Sequence, residues 1–197
     1  MRAEICAPCC AQEREVTLDC PFECEHLRDA RRHEKTPEPD PASLPSPDID
    51  LNDRFLQEHQ PLIVVAGRLL LVAAMDTEGA VDNDMREALD ALVRTYRTAE
   101  SGLIYETRPN NVVAARIQAR FQDEIAAFRE RIAERSGTHS VRDRDLLGAL
   151  VFWQRMEWQH NNGKRKGRAF IENLLGLLPP SAVQPPGEQP GRIIVAP

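Results

Sequence analysis

Every cysteine of this chain falls in its first 24 residues, as Cys6-x2-Cys9-Cys10 and then Cys20-x3-Cys24, with none from residue 25 to residue 197. A chain divided in this way has to fold by two means. A short segment cannot bury enough apolar surface and leans on its thiols, while the longer remainder holds together without them. The cysteine count is odd, and the first residues, MRAEICAPCCAQERE, carry acids but no apolar run. The sequence therefore reads as having no secretory leader and as cytoplasmic, where a disulfide framework is disfavoured. Two close thiol pairs roughly ten residues apart have instead the ligand spacing of a structural zinc site.

Zn2+ favours four thiolate or imidazole ligands in a closed tetrahedron, and each pair must grip the ion from one short turn. Cys6-Ala-Pro-Cys9 supplies such a turn, stiffened by Pro8, and Cys20-Pro-Phe-Glu-Cys24 supplies a second. The expected ligands are Cys6, Cys9, Cys20 and Cys24, with Cys10 and His26 as alternatives. Between the pairs, Glu13 to Leu18 (EREVTL) reads as a short strand partnered by Ala3-Glu4-Ile5. The stretch from Cys24 to Glu34 (CEHLRDARRHE) reads as a helix. This order of knuckle, hairpin and second pair at a helix start resembles the treble-clef and zinc-ribbon modules over residues 3–35, and the resemblance implies a structural metal. An iron–sulfur cluster also takes four thiolates, but its usual spacings differ.

The cysteine-rich segment is acidic. Residues 1–35 hold six Lys or Arg against eight Asp or Glu, and the whole chain has a net charge of −6. A finger that clamps phosphates should be basic, so this composition points to a protein contact or to fold stabilisation rather than to nucleic acid. Residues 36–53, TPEPDPASLPSPDIDLND, then bring five prolines and five acids without one Lys or Arg. Such a stretch cannot hold a helix. It reads equally as a semi-rigid tether or as a loop wrapping the body.

After Asp53 the apolar residues fall into helical period. Phe55, Leu56, Leu62, Ile63, Ala66, Leu69, Leu70 and Ala73 recur at three- and four-residue spacing, with Val64, Val65, Leu71 and Val72 on the other faces. The run PLIVVAGRLLLVAAM is shorter than the ~20 residues of a bilayer span and has Arg68 at its centre, so it predicts a buried core helix and no membrane span. Further amphipathic helices are predicted over about residues 80–100, capped by Asp82 or Asn83, over about 110–135, capped by Asn110 or Asn111, and from Ser140 to His160. A short one runs from Arg168 to Leu178. The Pro-rich end, 179–197, reads as largely disordered.

Three features of the body bear on chemistry. Glu157-x2-His160 matches half of a di-iron carboxylate element, but such sites need two of these and two further glutamates. Lys164, Arg165, Lys166 and Arg168 form the one basic run, a possible phosphate contact or simply a solvated interhelical loop. The connection Gly102-Leu-Ile-Tyr-Glu-Thr-Arg-Pro109 is apolar, with Tyr105, Glu106 and Arg108 beside it. No catalytic triad or carboxylate pair stands out, and no catalytic residue is assigned.

The expected fold is mainly α: a small N-terminal zinc module (1–35), a Pro/acidic linker (36–53), a bundle of four main helices and one short one (54–178), and the tail (179–197). The leading functional reading is a non-enzymatic, cytoplasmic, zinc-containing protein-binding or adaptor protein whose helical body offers a groove or a homodimer face. A nucleic-acid-associated regulator using the basic run is the second reading. A metal-dependent helical-bundle enzyme is the third.

Overall fold

The computed structural model describes residues 5–33, 40–103, 105–136 and 141–178. The predicted tail therefore lies outside the described residues, as do Ala3 and Glu4 of the expected hairpin. Among the described residues there are seven α-helices and one 3-10 turn: α1 (Ala7–Glu13), α2 (Glu25–His33), the turn Pro41–Ser43, α3 (Asp53–Met75), α4 (Asp82–Glu100), α5 (Val112–Ser136), α6 (Asp143–His160) and α7 (Ala169–Leu177). No strand forms among them, and the only pairing of that kind is an isolated bridge between Arg14 and Leu18. The mainly α expectation holds for the body.

Helices α3 to α6 make the bundle. α6 packs between α3 and α4, and α5 packs between the same two on the other side. Consecutive α3 and α4 therefore stand diagonally, although only a short turn joins them. Their interior is built from Leu70, Met85, Leu89, Leu92, Ile117, Phe121, Leu146 and Leu150, all without solvent exposure. α7 lies across α3, α6 and α4 and adds Phe170, Ile171 and Leu174 to the same core.

α3 is the one described helix that is long and apolar enough to cross a membrane. One face of it, with Ile63, Ala66, Gly67, Leu70, Leu71, Ala73 and Ala74, is buried within the protein, while Val72 and Met75 are exposed. Its contact with α6 turns on a glycine. The Trp153 indole donates its Nε1–H to the carbonyl of Ile63 at 2.8 Å, and its ring lies over Gly67, where a Cβ would meet Trp153 Cζ2 at 2.3 Å. Gly67→Ala should therefore destabilise the fold by about 1–3 kcal/mol, the usual cost of overpacking a core. A urea midpoint unchanged from the wild type would show that α3 and α6 can move apart at no cost.

The first described residues of the Pro/acidic linker lie along the body. Arg155 donates to the carbonyls of Pro45 (3.2 Å), Ser46 (2.8 Å) and Ile49 (2.7 Å). Arg97 takes Asp48 through both guanidinium nitrogens at 2.6 and 2.9 Å, which holds the Asp48 carboxyl down to about 2. Ile49 and Leu51 pack against the core. Of the two readings of this stretch, residues 40–52 follow the wrapping one.

Candidate functional site

The cysteine-rich segment begins with a helix that the sequence did not suggest. Cys6 caps α1, Pro8 occupies its first turn, and the Cys9 N–H donates to Cys6 Sγ at 3.4 Å. The Cys9 thiol also bonds to Cys6, which lowers the Cys6 thiol pKa and raises that of Cys9. Cys10 Sγ accepts from Arg14 at 3.7 Å. Cys20 is buried, Cys24 is half-buried at the start of α2, and His26 is exposed. Only Cys6 and Cys9 are thus seen in contact. Among the described residues no group of three or more His, Cys, Asp or Glu side chains is placed to hold a metal ion. No chemistry is derived from a four-thiolate site.

The strand expected at Glu13 to Leu18 is replaced by a turn. The amides of Val16, Thr17 and Leu18 all donate to the carbonyl of Glu13, at 3.1, 3.1 and 3.2 Å. That winding puts Glu15 in the left-handed region at φ 57°, an uncommon conformation for a residue with a Cβ, and turns its side chain into the body.

There Glu15 is almost wholly buried, and the basic loop surrounds it. Asn162 Nδ2 donates to one carboxylate oxygen at 3.0 Å, and the Arg168 amide donates to the other at 3.1 Å. Lys164 Nζ stands 3.7 Å away, and Arg31 of α2 completes the shell before pairing with Glu172. The Glu15 carbonyl accepts from the Lys166 amide at 2.8 Å. Beside it Lys166 Nζ bonds Asp19 at 2.9 Å, and Arg168 donates to the Cys20 carbonyl while its guanidinium covers the Phe22 ring at 4.4 Å. Three of the four cations considered for phosphate are thus turned toward residues 13–22, and Arg165 is exposed. The acid-to-base complementarity of 13–19 and 164–168 was visible in the sequence, but the pairing of segments some 150 residues apart was not.

A second polar cluster lies between α4 and α6. Glu157 is 1% exposed and accepts from Arg86 Nε through both oxygens, at 3.2 and 3.1 Å, and from Asn161 Nδ2 at 2.5 Å. The residue read as half of a di-iron element is therefore engaged by an arginine and an amide. Three residues on, burial lowers the pKa of His160. Arg86 and Glu157 line a cleft of about 500 Å3 with Arg94, Gln154 and Trp158. Nearby, Asp82 does not cap its own helix, whose N-terminal Val81 amide is taken by Asp84 at 3.0 Å. The Asp82 carboxylate caps α7, accepting from the Phe170 amide at 2.9 Å and the Ile171 amide at 3.1 Å.

The α4–α5 connection is held by its backbone. Thr98 Oγ1 donates to the Tyr105 carbonyl (3.0 Å), the Leu103 amide to the Thr98 carbonyl (3.0 Å), the Thr107 amide to Thr95 Oγ1 (3.0 Å), and Gln118 Nε2 to the Thr107 carbonyl (2.7 Å). Arg108 pairs with Glu106 at 3.1–3.2 Å. Yet Leu103 is 64% exposed, Tyr105 68% and Val112 64%. No family model matches the chain, and no curated protein or solved structure is significantly similar to it.

Proposed function

We propose that the chain is a non-enzymatic protein-binding protein that contacts its partner through the α4–α5 connection. The observation that carries this reading is a pinned backbone with outward apolar side chains. Leu103, Tyr105 and Val112 are the most exposed large apolar residues described; the first two sit on the connection, whose amides and carbonyls are tied to Thr95, Thr98 and Gln118, and Val112 opens α5 directly after it. A loop that merely connects has no need of three such side chains in water. A rigid loop presenting aromatic and aliphatic anchors loses little entropy on binding. The nucleic-acid reading draws less support, because three of the loop cations already face acids, a carbonyl or an aromatic ring of residues 13–22. The zinc expectation remains separate, and the protein-binding reading does not draw on it.

The test places a photo-crosslinking amino acid at position 105 of the full chain, with exposed Arg116 on α5 as the control position. In the native cell extract a discrete protein adduct is expected from 105 and not from 116. It should disappear when Leu103→Asp and Val112→Asp are added, with far-UV circular dichroism unchanged. An adduct of twice the chain mass would identify the partner as a second copy. Equal adducts at both positions, or an adduct indifferent to the aspartates, would sink the reading.

A further inference from the structure

We infer that the face formed by residues 161–168 is a binding surface for an acidic peptide, and that residues 13–22 of the same chain are its built-in occupant. This goes beyond the protein-binding reading above, since it concerns a different surface, and either can fail alone.

The body supplies its donors from one short loop. Asn162 Nδ2, Lys164 Nζ and the Arg168 amide converge on a single carboxylate, and the Lys166 amide takes the carbonyl of the same residue. Gly163 at φ 70° lets the chain turn so that the side chains on either side of it face one way. Asn162 Oδ1 accepts from the Lys164 amide at 3.1 Å, which orients the Asn162 amide so that its NH2 points at the carboxylate. Two further contacts extend this into a register along the bound segment. A glutamate sits in the pocket, an aspartate four residues on meets Lys166, and an aromatic ring seven residues on lies under Arg168.

What is bound is an acidic segment in an uncommon conformation, docked mainly by polar contacts. Glu15 has a positive φ, and α1 buries no residue at all. Phe22 is the one side chain of 13–22 that packs on the main core. A segment attached in this manner is held largely by its effective concentration, and a partner peptide of the same chemistry competes with it directly. The surface takes a peptide with the pattern Glu-x3-Asp-x2-aromatic, and binding in trans releases the cysteine-rich segment.

The probe is a synthetic peptide of residues 11–24 with both cysteines replaced by serine, titrated into the full chain. It is expected to bind the Glu15→Ala protein at least about ten-fold more tightly than the wild-type protein, the effect of one charge-assisted hydrogen bond withdrawn from the internal competitor. The same peptide carrying Glu15→Ala should lose that gain, as should the intact peptide on protein carrying Glu15→Ala with Asn162→Ala and Lys164→Ala. Peptides indifferent to the glutamate, or equal affinity for wild-type and Glu15→Ala protein, would overturn the proposal. If Glu15→Ala fails to fold, the wild-type chain carries the test. Saturating peptide should speed alkylation of buried Cys20 several-fold, as expected for displacement of a tethered competitor. Release of Cys20 by inorganic pyrophosphate but not by the peptide would overturn it in favour of a phosphate site.

Discussion

Arg86→Ala should lower the unfolding free energy by about 3 kcal/mol near neutral pH, because it strands a buried charge. Glu157 is nearly inaccessible to water, and among the described residues Arg86 Nε is its only cationic donor. The lower end of the range for broken buried pairs applies, since the Arg86 side chain is 46% exposed and water partly shields it. The pH dependence has a definite sign. Burial already raises the Glu157 pKa, while the Asn161 amide and Arg86 pull it back. Removing Arg86 raises it further, so the folded variant holds its proton more tightly than the unfolded chain. The deficit should be larger at about pH 8 than at about pH 5, because the variant's Glu157 takes up its proton more readily than the wild type's. Urea denaturation at the two pH values measures this. Glu157→Gln should recover part of the loss in the Arg86→Ala background, because an amide leaves no charge to strand. A deficit equal at both pH values would mean that Glu157 is solvated by another route.

The sequence set the body helices to within a few residues, and for a physical reason. The segments predicted over 80–100, 110–135 and 168–178 are observed as Asp82–Glu100, Val112–Ser136 and Ala169–Leu177. Each is an amphipathic stretch whose apolar stripe must find a core, so the period alone fixes it. α1 has no such stripe. It has seven residues and none buried, so nothing in its pattern distinguishes a helical turn from the metal-gripping turn that Cys6-x2-Cys9 suggests. The sites were less legible because they join distant segments. Asp82 stands where an N-cap of α4 should stand, and the sequence assigns it there; its true partners are 88 and 89 residues away. Glu15 looked like one acid among eight. What singles it out is a left-handed turn, which no propensity for glutamate would suggest. The diagonal placement of α3 and α4 was equally hidden, since loop length alone favours neighbours.

Asp82 should give the protein a stability that falls as pH rises through the acid range, opposite to the usual behaviour of a carboxylate. Burial is the largest influence on it and, with repulsion from Glu157, outweighs the two α7 amides and Arg31, so its pKa is pushed up to about 7. An unfolded aspartate titrates near 3.9. Between these values the folded chain binds a proton that the unfolded chain has lost, and each pH step upward favours unfolding. The effect vanishes below the unfolded value, accumulates between about 4 and 7, and is level above; its ceiling is on the order of 4 kcal/mol. Other groups titrate in the same range, so the quantity to measure is the difference between the wild-type and Asp82→Asn proteins. That difference should move steadily in favour of asparagine from about pH 4 to about pH 7 and then stop. Asp82→Ala should cost about 2 kcal/mol more than asparagine at every pH, because it leaves the Phe170 and Ile171 amides buried with no acceptor. The loss should begin in α7, seen as faster hydrogen exchange at Leu178, whose amide bonds the Leu174 carbonyl. A flat difference curve would mean that the two amides and the dipole of α7 hold the Asp82 charge against burial. In that case the carboxylate is a conventional helix cap that happens to be supplied from another part of the chain.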